Sequence, residues 1–315
     1  MIMAAPGAAA VARIGGSMRR QLIVLALAAS AAATAGAGLT AHWIMSDEPA
    51  RKKGVQAGAA EPISGDRAAG AVAERRPLDT VQLRRTVRAY NAQRPGRAGV
   101  MALDLRTGWS FGENEKARFV SASIMKVDIL TGLLLQRQND RRGLSENEKD
   151  LAKQMIRESD NSAADALYAQ SGYGSGIRKA NQRLGLTQTT PFQTSWGSSL
   201  TSPADQVRLL GALAAGGPLD ASGRQYILGL MGSVLREQAW GVSAAARPGE
   251  RVALKNGWTP VHEQGSGWAI NSIGRITGPD HDFLVAVCSG ENPTMESGIT
   301  TVEHMADLVV STMRR

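Results

Sequence analysis

Strand-like runs stand at both ends of one stretch of this chain and helical periodicity fills its middle; nothing else in the sequence narrows the fold as far. Gly99–Leu105 and Trp109–Gly112 read as a hairpin joined by Arg106-Thr107-Gly108. Strand patterns return at Arg251–Asn256, Trp268–Ile276 and Phe283–Cys288. Between them, helices are expected over Ser123–Leu135, Leu144–Ile156, Ala163–Tyr168, Pro203–Leu213 and Arg224–Leu235. Ser145 and Glu148 fit a capping box at the start of the second of these. A helix beginning near Val81 and another over Thr301–Met313 flank the whole and should pack side by side on the sheet. Strands at both ends with helices between predict an α+β sandwich: an antiparallel sheet of N- and C-terminal strands backed by helices.

Upstream of this stretch the chain changes character. Gln21–Met45 carries no Asp, Glu, Lys or Arg and follows Arg13, Arg19 and Arg20. A positive segment before an apolar one marks a secretory signal or an uncleaved anchor, and the apolar run exceeds the roughly 20 residues needed to span a bilayer. Arg19-Arg20 weakly matches a twin-arginine signal, and Met18 is an alternative start. No cysteine follows the run, so a lipoprotein-type anchor on it is not expected. Residues 46–77 are rich in Ala, Gly, Pro and charge without apolar period, as in a flexible linker. The expected organisation is therefore 1–45 signal or anchor, 46–77 linker and 78–315 folded domain, outside the cytoplasm and monomeric.

The net charge of +8 does not point to nucleic acid. Up to Arg76 there are nine Lys and Arg against five Asp and Glu, and the remaining excess is spread thinly with no basic run interleaved with aromatics. The single cysteine, Cys288, excludes an internal disulfide and a cysteine-based zinc site, and it reads as a small apolar residue of a buried strand. No cofactor is expected.

Three short motifs occur in order: Ser123-Ile124-Met125-Lys126, Ser159-Asp160-Asn161 and Lys255-Asn256-Gly257. Each alone is weak; a Ser-x-x-Lys match arises on the order of once by chance in a chain of this size. Their chemistry is coherent when combined. Ser and Lys three apart share one helix face, so Lys126 can take the Ser123 proton if its pKa is lowered. The alternative is a capping serine beside a solvated lysine. Ser159 can pass a proton to a leaving group and Asn161 can bond a substrate amide, unless Ser159 or Asp160 merely caps a helix. Lys255, at the end of a strand, can offer a cation to a carboxylate, and Gly257 permits close backbone approach. There the alternative is an Asn-Gly hairpin turn.

This trio resembles the Ser-x-x-Lys, Ser-Asp-Asn and Lys-Thr-Gly set of class A β-lactamases and penicillin-binding proteins. The hairpin before Ser123, the Lys149–Asn161 run, the Thr201-Ser202-Pro203 helix start and Gly267–Gly274 extend the likeness over residues 78 to 315. The resemblance implies a β-lactamase/transpeptidase-like sandwich with its site between sheet and helices. It implies Ser123 as the acylated nucleophile, Lys126 as its base, Ser159 as proton shuttle and Lys255 as partner of Ser159 and of a substrate carboxylate. It further implies an oxyanion hole from the amides of Ser123 and Trp258, and Asn161, Asn256 and Gly257 beside the substrate. The implied partner is a β-lactam or a peptidoglycan-derived peptide, with no metal.

Three departures qualify that implication. Class A enzymes place a deacylating glutamate in a loop after the second motif, whereas here no Asp or Glu occurs from Ala166 through Ala204. Gln193 lies in that stretch but an amide is no base; His262 and Glu263 are substitutes to consider. The span between the first two motifs is short, which implies a more open cleft suited to a larger substrate. Asn256 replaces Thr, and Arg275 is the candidate for an arginine assisting carboxylate binding. The expected function is an exported serine hydrolase forming an acyl-enzyme on Ser123. The alternative is a protein that acylates without turnover, or only binds β-lactams or cell-wall fragments. A Ser-His-Asp hydrolase fits poorly, with only His262, His281 and His304 outside the signal region.

Overall fold

The computed structural model describes residues 78–262 and 265–314; the expected export segment, the linker and Glu263 lie outside these. In chain order the elements are α1 (Thr80–Ala92), β1 (Arg97–Asp104), β2 (Ser110–Glu113), β3 (Phe119–Val120), α2 (Met125–Asn139), α3 (Glu146–Lys153), α4 (Asn161–Gln170), α5 (Tyr173–Leu184), β4 (Leu200–Thr201), α6 (Pro203–Ala214), α7 (Ala221–Met231), β5 (Arg251–Pro260), β6 (Trp268–Thr277), β7 (Asp282–Asn292) and α8 (Met295–Met313). Five strands form one antiparallel sheet in the order β2-β1-β7-β6-β5, and β3 pairs with β4 in a separate two-residue ladder. The expected α+β sandwich is the fold observed.

The sheet is buried on both faces, and β7 shows why. Phe283, Val285 and Val287 face a core shared with α1 and α8, while Leu284, Ala286 and Cys288 face the core of α2, α4, α5, α6 and α7. Alternation of period two thus sends successive apolar side chains into two separate cores. Burying residues on both faces is the main stabilising term, at about 1.5–3 kcal/mol per large aliphatic side chain. The first and last helices share one face, as their sequences predicted.

Local signals set several boundaries. Ser145 Oγ accepts from Glu148 N at 3.2 Å and Glu148 Oε2 accepts from Ser145 N at 2.7 Å, the reciprocal box expected at the start of α3. Glu148 also takes both Arg137 Nε and Nη2, at 2.9 and 2.6 Å, so the box is tied to α2. Beyond Lys153 the chain widens into a π-helical turn, Gln154–Glu158, and stops at Ser159 in the left-handed region (φ 59°). The sequence pattern missed α5, whose apolar period of Ile177, Ala180 and Leu184 is masked by Gly172, Gly174 and Gly176. It also cut β5 short. That strand runs through Pro260, so Asn256-Gly257 is not a turn: Asn256 pairs with Ser272 and Gly257 with Asn271 in mid-ladder.

Candidate active site

Ser123 does not open an α-helix. It sits in a 3₁₀ turn, Ala122–Ile124, which feeds into the N-terminus of α2 without any side-chain cap. The capping alternative for Ser123 therefore fails, and the residue lines a cleft of about 580 Å³. Three contacts hold the turn. Ser121 N donates to Ser199 O at 2.8 Å, next to the β3–β4 ladder. Buried Asn271 of β6 donates to Val120 O and Ser121 O at 2.9 and 3.0 Å. Gly257 of β5 lies against the turn so closely that a Cβ on it would stand 2.7 Å from both Ser123 N and Ile124 N.

The three motifs converge behind Ser123. Lys126 is fully buried, and its ammonium donates to Ser159 O (2.6 Å), Ser159 Oγ (3.2 Å) and Asn161 Oδ1 (2.8 Å). Lys255, 1% exposed, donates to Ser159 Oγ at 2.9 Å and to Asn256 O at 3.0 Å. Ser159 Oγ thus accepts from both lysines, and with both lone pairs engaged its own O–H is left to donate elsewhere. Asp160 does cap α4, accepting from Ala163 N at 2.6 Å, so this motif serves folding and the site at once.

Burial disfavours the ammonium form of both lysines. Lys126 falls to about 8, with burial as the main cause and the charges of Asp160 and Asp165 opposing it. Lys255 is held well below the ordinary amine range, first by burial and then by the charge of Lys126. The Lys126–Ser123 hydrogen bond expected from helical spacing is not formed. All three Lys126 donors are turned to Ser159 and Asn161, so Lys126 must release one of them to serve Ser123.

Several sequence expectations are corrected here. Asn256 does not face the cleft: strand alternation places it opposite Lys255, where Nδ2 donates to Gln238 O (2.8 Å) and Trp240 O (3.0 Å). Its side chain secures the segment behind the sheet and is not offered to a ligand. The Trp258 ring likewise meets Trp240, with centroids 5.9 Å apart, while the residue as a whole still lines the cleft. Arg275 is bound to Asp282 by two hydrogen bonds of 2.7 Å and does not line the cleft. Gln193 is exposed and receives Ser175 Oγ at 3.0 Å, also outside the cleft lining. His262 lines the cleft.

Residues 82–149 and 147–313 match the Beta-lactamase enzyme family. The chain belongs to that family. Among curated proteins, this β-lactamase-family chain is similar to LppW of Mycobacterium tuberculosis, which is named as a lipoprotein. The two are 26% identical over 199 residues, 60% of this chain and 61% of the relative, so the match spans less than two thirds of that relative's length. Among solved structures it is similar to PBP-A (19% identity, TM-score 0.65, covering 74% of this chain and 96% of PBP-A). It is also similar to a class A β-lactamase from Mycobacterium abscessus (22% identity, TM-score 0.64, covering 74% and 100%). The TLA-1 extended-spectrum β-lactamase aligns with TM-score 0.68 at 18% identity, over 75% of this chain and 99% of TLA-1. At these identities the structural likeness carries the fold, and the fold is that of the β-lactamases.

Two side chains at the site were not legible in any motif. Trp196, from the segment between α5 and β4, places its ring centroid 4.8 Å from Lys126 Nζ and donates from Nε1 to Asp165 Oδ1 at 2.7 Å. Asn271 anchors the turn that carries Ser123. No spacing rule singles out either residue, because both act through tertiary contact.

Proposed function

We propose that this protein is an extracytoplasmic serine hydrolase that forms an acyl-enzyme on Ser123 with a β-lactam or a peptidoglycan-derived peptide. The observation that carries this reading is the convergence of Lys126 and Lys255 on Ser159 beside a cleft that Ser123 lines. In the proposed sequence, neutral Lys126 takes the Ser123 proton as Oγ attacks the carbonyl carbon. The carbonyl electron pair moves to the oxygen, where the Ser123 and Trp258 amides receive it; such donors contribute about 3–4 kcal/mol each. As the C–N bond breaks, the Lys126 proton passes through the Ser159 hydroxyl to the leaving nitrogen. Lys255 keeps that hydroxyl oriented. Membership of the β-lactamase family and the fold shared with PBP-A support this assignment, and a variant of PBP-A is described as an acyl-enzyme complex with penicillin G.

Hydrolysis of the acyl-enzyme is a separate matter. The loop after the second motif has no carboxylate from Ala166 through Ala204, and the residue it turns toward Lys126 is a tryptophan. This favours a second reading, acylation without rapid turnover, as in a cell-wall peptidase or a sensor. Asp165 and His262 are the titratable side chains that line the cleft; Asp165 accepts the Trp196 indole N–H, which leaves His262 as the substitute base to consider. Location outside the cytoplasm rests on the charge-free run Gln21–Met45, with support from the lipoprotein name of LppW; within these 315 residues the one thiol, Cys288, is buried in β7.

The test pairs a chromogenic cephalosporin with a fluorescent penicillin and follows colour and protein mass together. A mass adduct on Ser123, absent in Ser123→Ala, is expected. Its persistence selects the acylation-only reading, and colour with return to the unmodified mass selects a working β-lactamase. Neither adduct nor colour release on the wild-type chain with these probes would sink the assignment.

A further inference from the structure

Asp165 lies four residues after Asn161 on α4, so one helix supplies both an oxygen that accepts from Lys126 and the carboxylate that holds the Trp196 indole. The ammonium of Lys126 is therefore enclosed by acceptors on the Ser159 side and by a π face on another. A cation is attracted to that face and a neutral amine is not, so the indole favours the protonated form. The other charged groups facing Lys126 are Asp160, at the start of α4, which acts in the same sense, and Lys255 of β5, which opposes it. His262 lines the same cleft. Asp165 is distinguished from Asp160 by reaching Lys126 along two routes, through its own charge and through the ring it holds in place.

We propose that Trp196, tethered by Asp165, is a positioning residue that keeps Lys126 an ammonium turned toward Ser159, and so sets the pH above which Lys126 can accept the Ser123 proton. This rests on the reading of Lys126 as the base. The indole then acts on Ser123 through Lys126: it governs the charge and direction of the group that must deprotonate Ser123.

The test reads Lys126 in two ways on the full chain. Tryptophan emission is titrated from pH 6 to 10, since a ring in contact with an ammonium reports the loss of its charge. A step near pH 8 is expected in wild type and is absent in Trp196→Phe and in Lys126→Met. In Asp165→Asn, which keeps an oxygen for the indole N–H but removes the charge, the step moves down by about half a pH unit or more. The acid limb of penicillin acylation at Ser123 moves with it. A step that survives in Trp196→Phe, or that stays in place in Asp165→Asn, overturns the proposal. Failure of wild type both to be labelled by the penicillin and to consume it would remove the proposed function instead, and the emission step alone would then decide the positioning role.

Discussion

Asp128 follows Lys126 by two residues on α2 and meets a different fate. It is 1% exposed, receives one hydrogen bond of 3.3 Å from Gln206 Nε2, and its Oδ1 has no hydrogen-bond partner. Burial pushes it up to about 7, and the nearby charge of Asp205 adds to the rise. The unfolded chain titrates this group near 3.9. A raised folded value means the proton is bound more tightly in the native state, so the stability it brings is complete below about pH 4 and lost as pH rises through about 7. Asp128→Asn should therefore gain on wild type with rising pH, by on the order of 3 kcal/mol between pH 4 and pH 8.5. Thermal melts of both proteins at the two ends of that range would show it; parallel melting curves across the range would refute it. At the same scale the acylation rate should climb through about pH 8 as Lys126 loses its proton, provided the base is Lys126. A rate flat from pH 6 to 9 would assign the base elsewhere.

The turn that carries Ser123 depends on a strand that gives way to it. Gly257 is the position where β5 passes the 3₁₀ turn, and a side chain there meets backbone nitrogen atoms, which cannot rotate aside as a flexible side chain would. Gly257→Ala should displace Ala122–Ile124 and lower the acylation rate by about 100-fold or more, since reacting groups lose rate steeply when shifted by about 1 Å. Acylation kinetics beside a circular-dichroism melt separate the outcomes: retained folding with lost acylation is expected, and near-wild-type acylation would mean that β5 does not fix the turn. Elements of this kind also show what sequence could reveal. Periodicity located the strands of the sheet and most of the helices, and the capping box at Ser145 was read to the residue. It failed at α5, where three glycines hide an amphipathic period that tertiary packing completes. It failed also along Lys255–Trp258, where a family motif read as a strand end lies in mid-strand, so that alternation sends Lys255 and Asn256 to opposite faces. Trp196 and Asn271 were illegible for a related reason: their partners are distant in sequence and no local spacing marks them.

Across the described residues, the sheet divides two apolar cores, and Cys288 lies in the larger helical one at 0% exposure. Burial pushes its thiol far above the ordinary range, so the reactive thiolate is suppressed while the protein is folded. The central strand β7 should open only with the molecule, and labelling of Cys288 should then report global unfolding. Its rate is expected to rise with urea along the same slope as unfolding followed by circular dichroism. A fast labelling phase independent of urea would show that the helical layer separates from the sheet by itself. The inward turn of Asn256 reaches equally far. Because the middle residue of the third motif secures the chain at Gln238 and Trp240, descent with modification should couple it to that segment. Among relatives of this chain, substitutions at position 256 should track those at 238–241, and be indifferent to which compound each relative consumes.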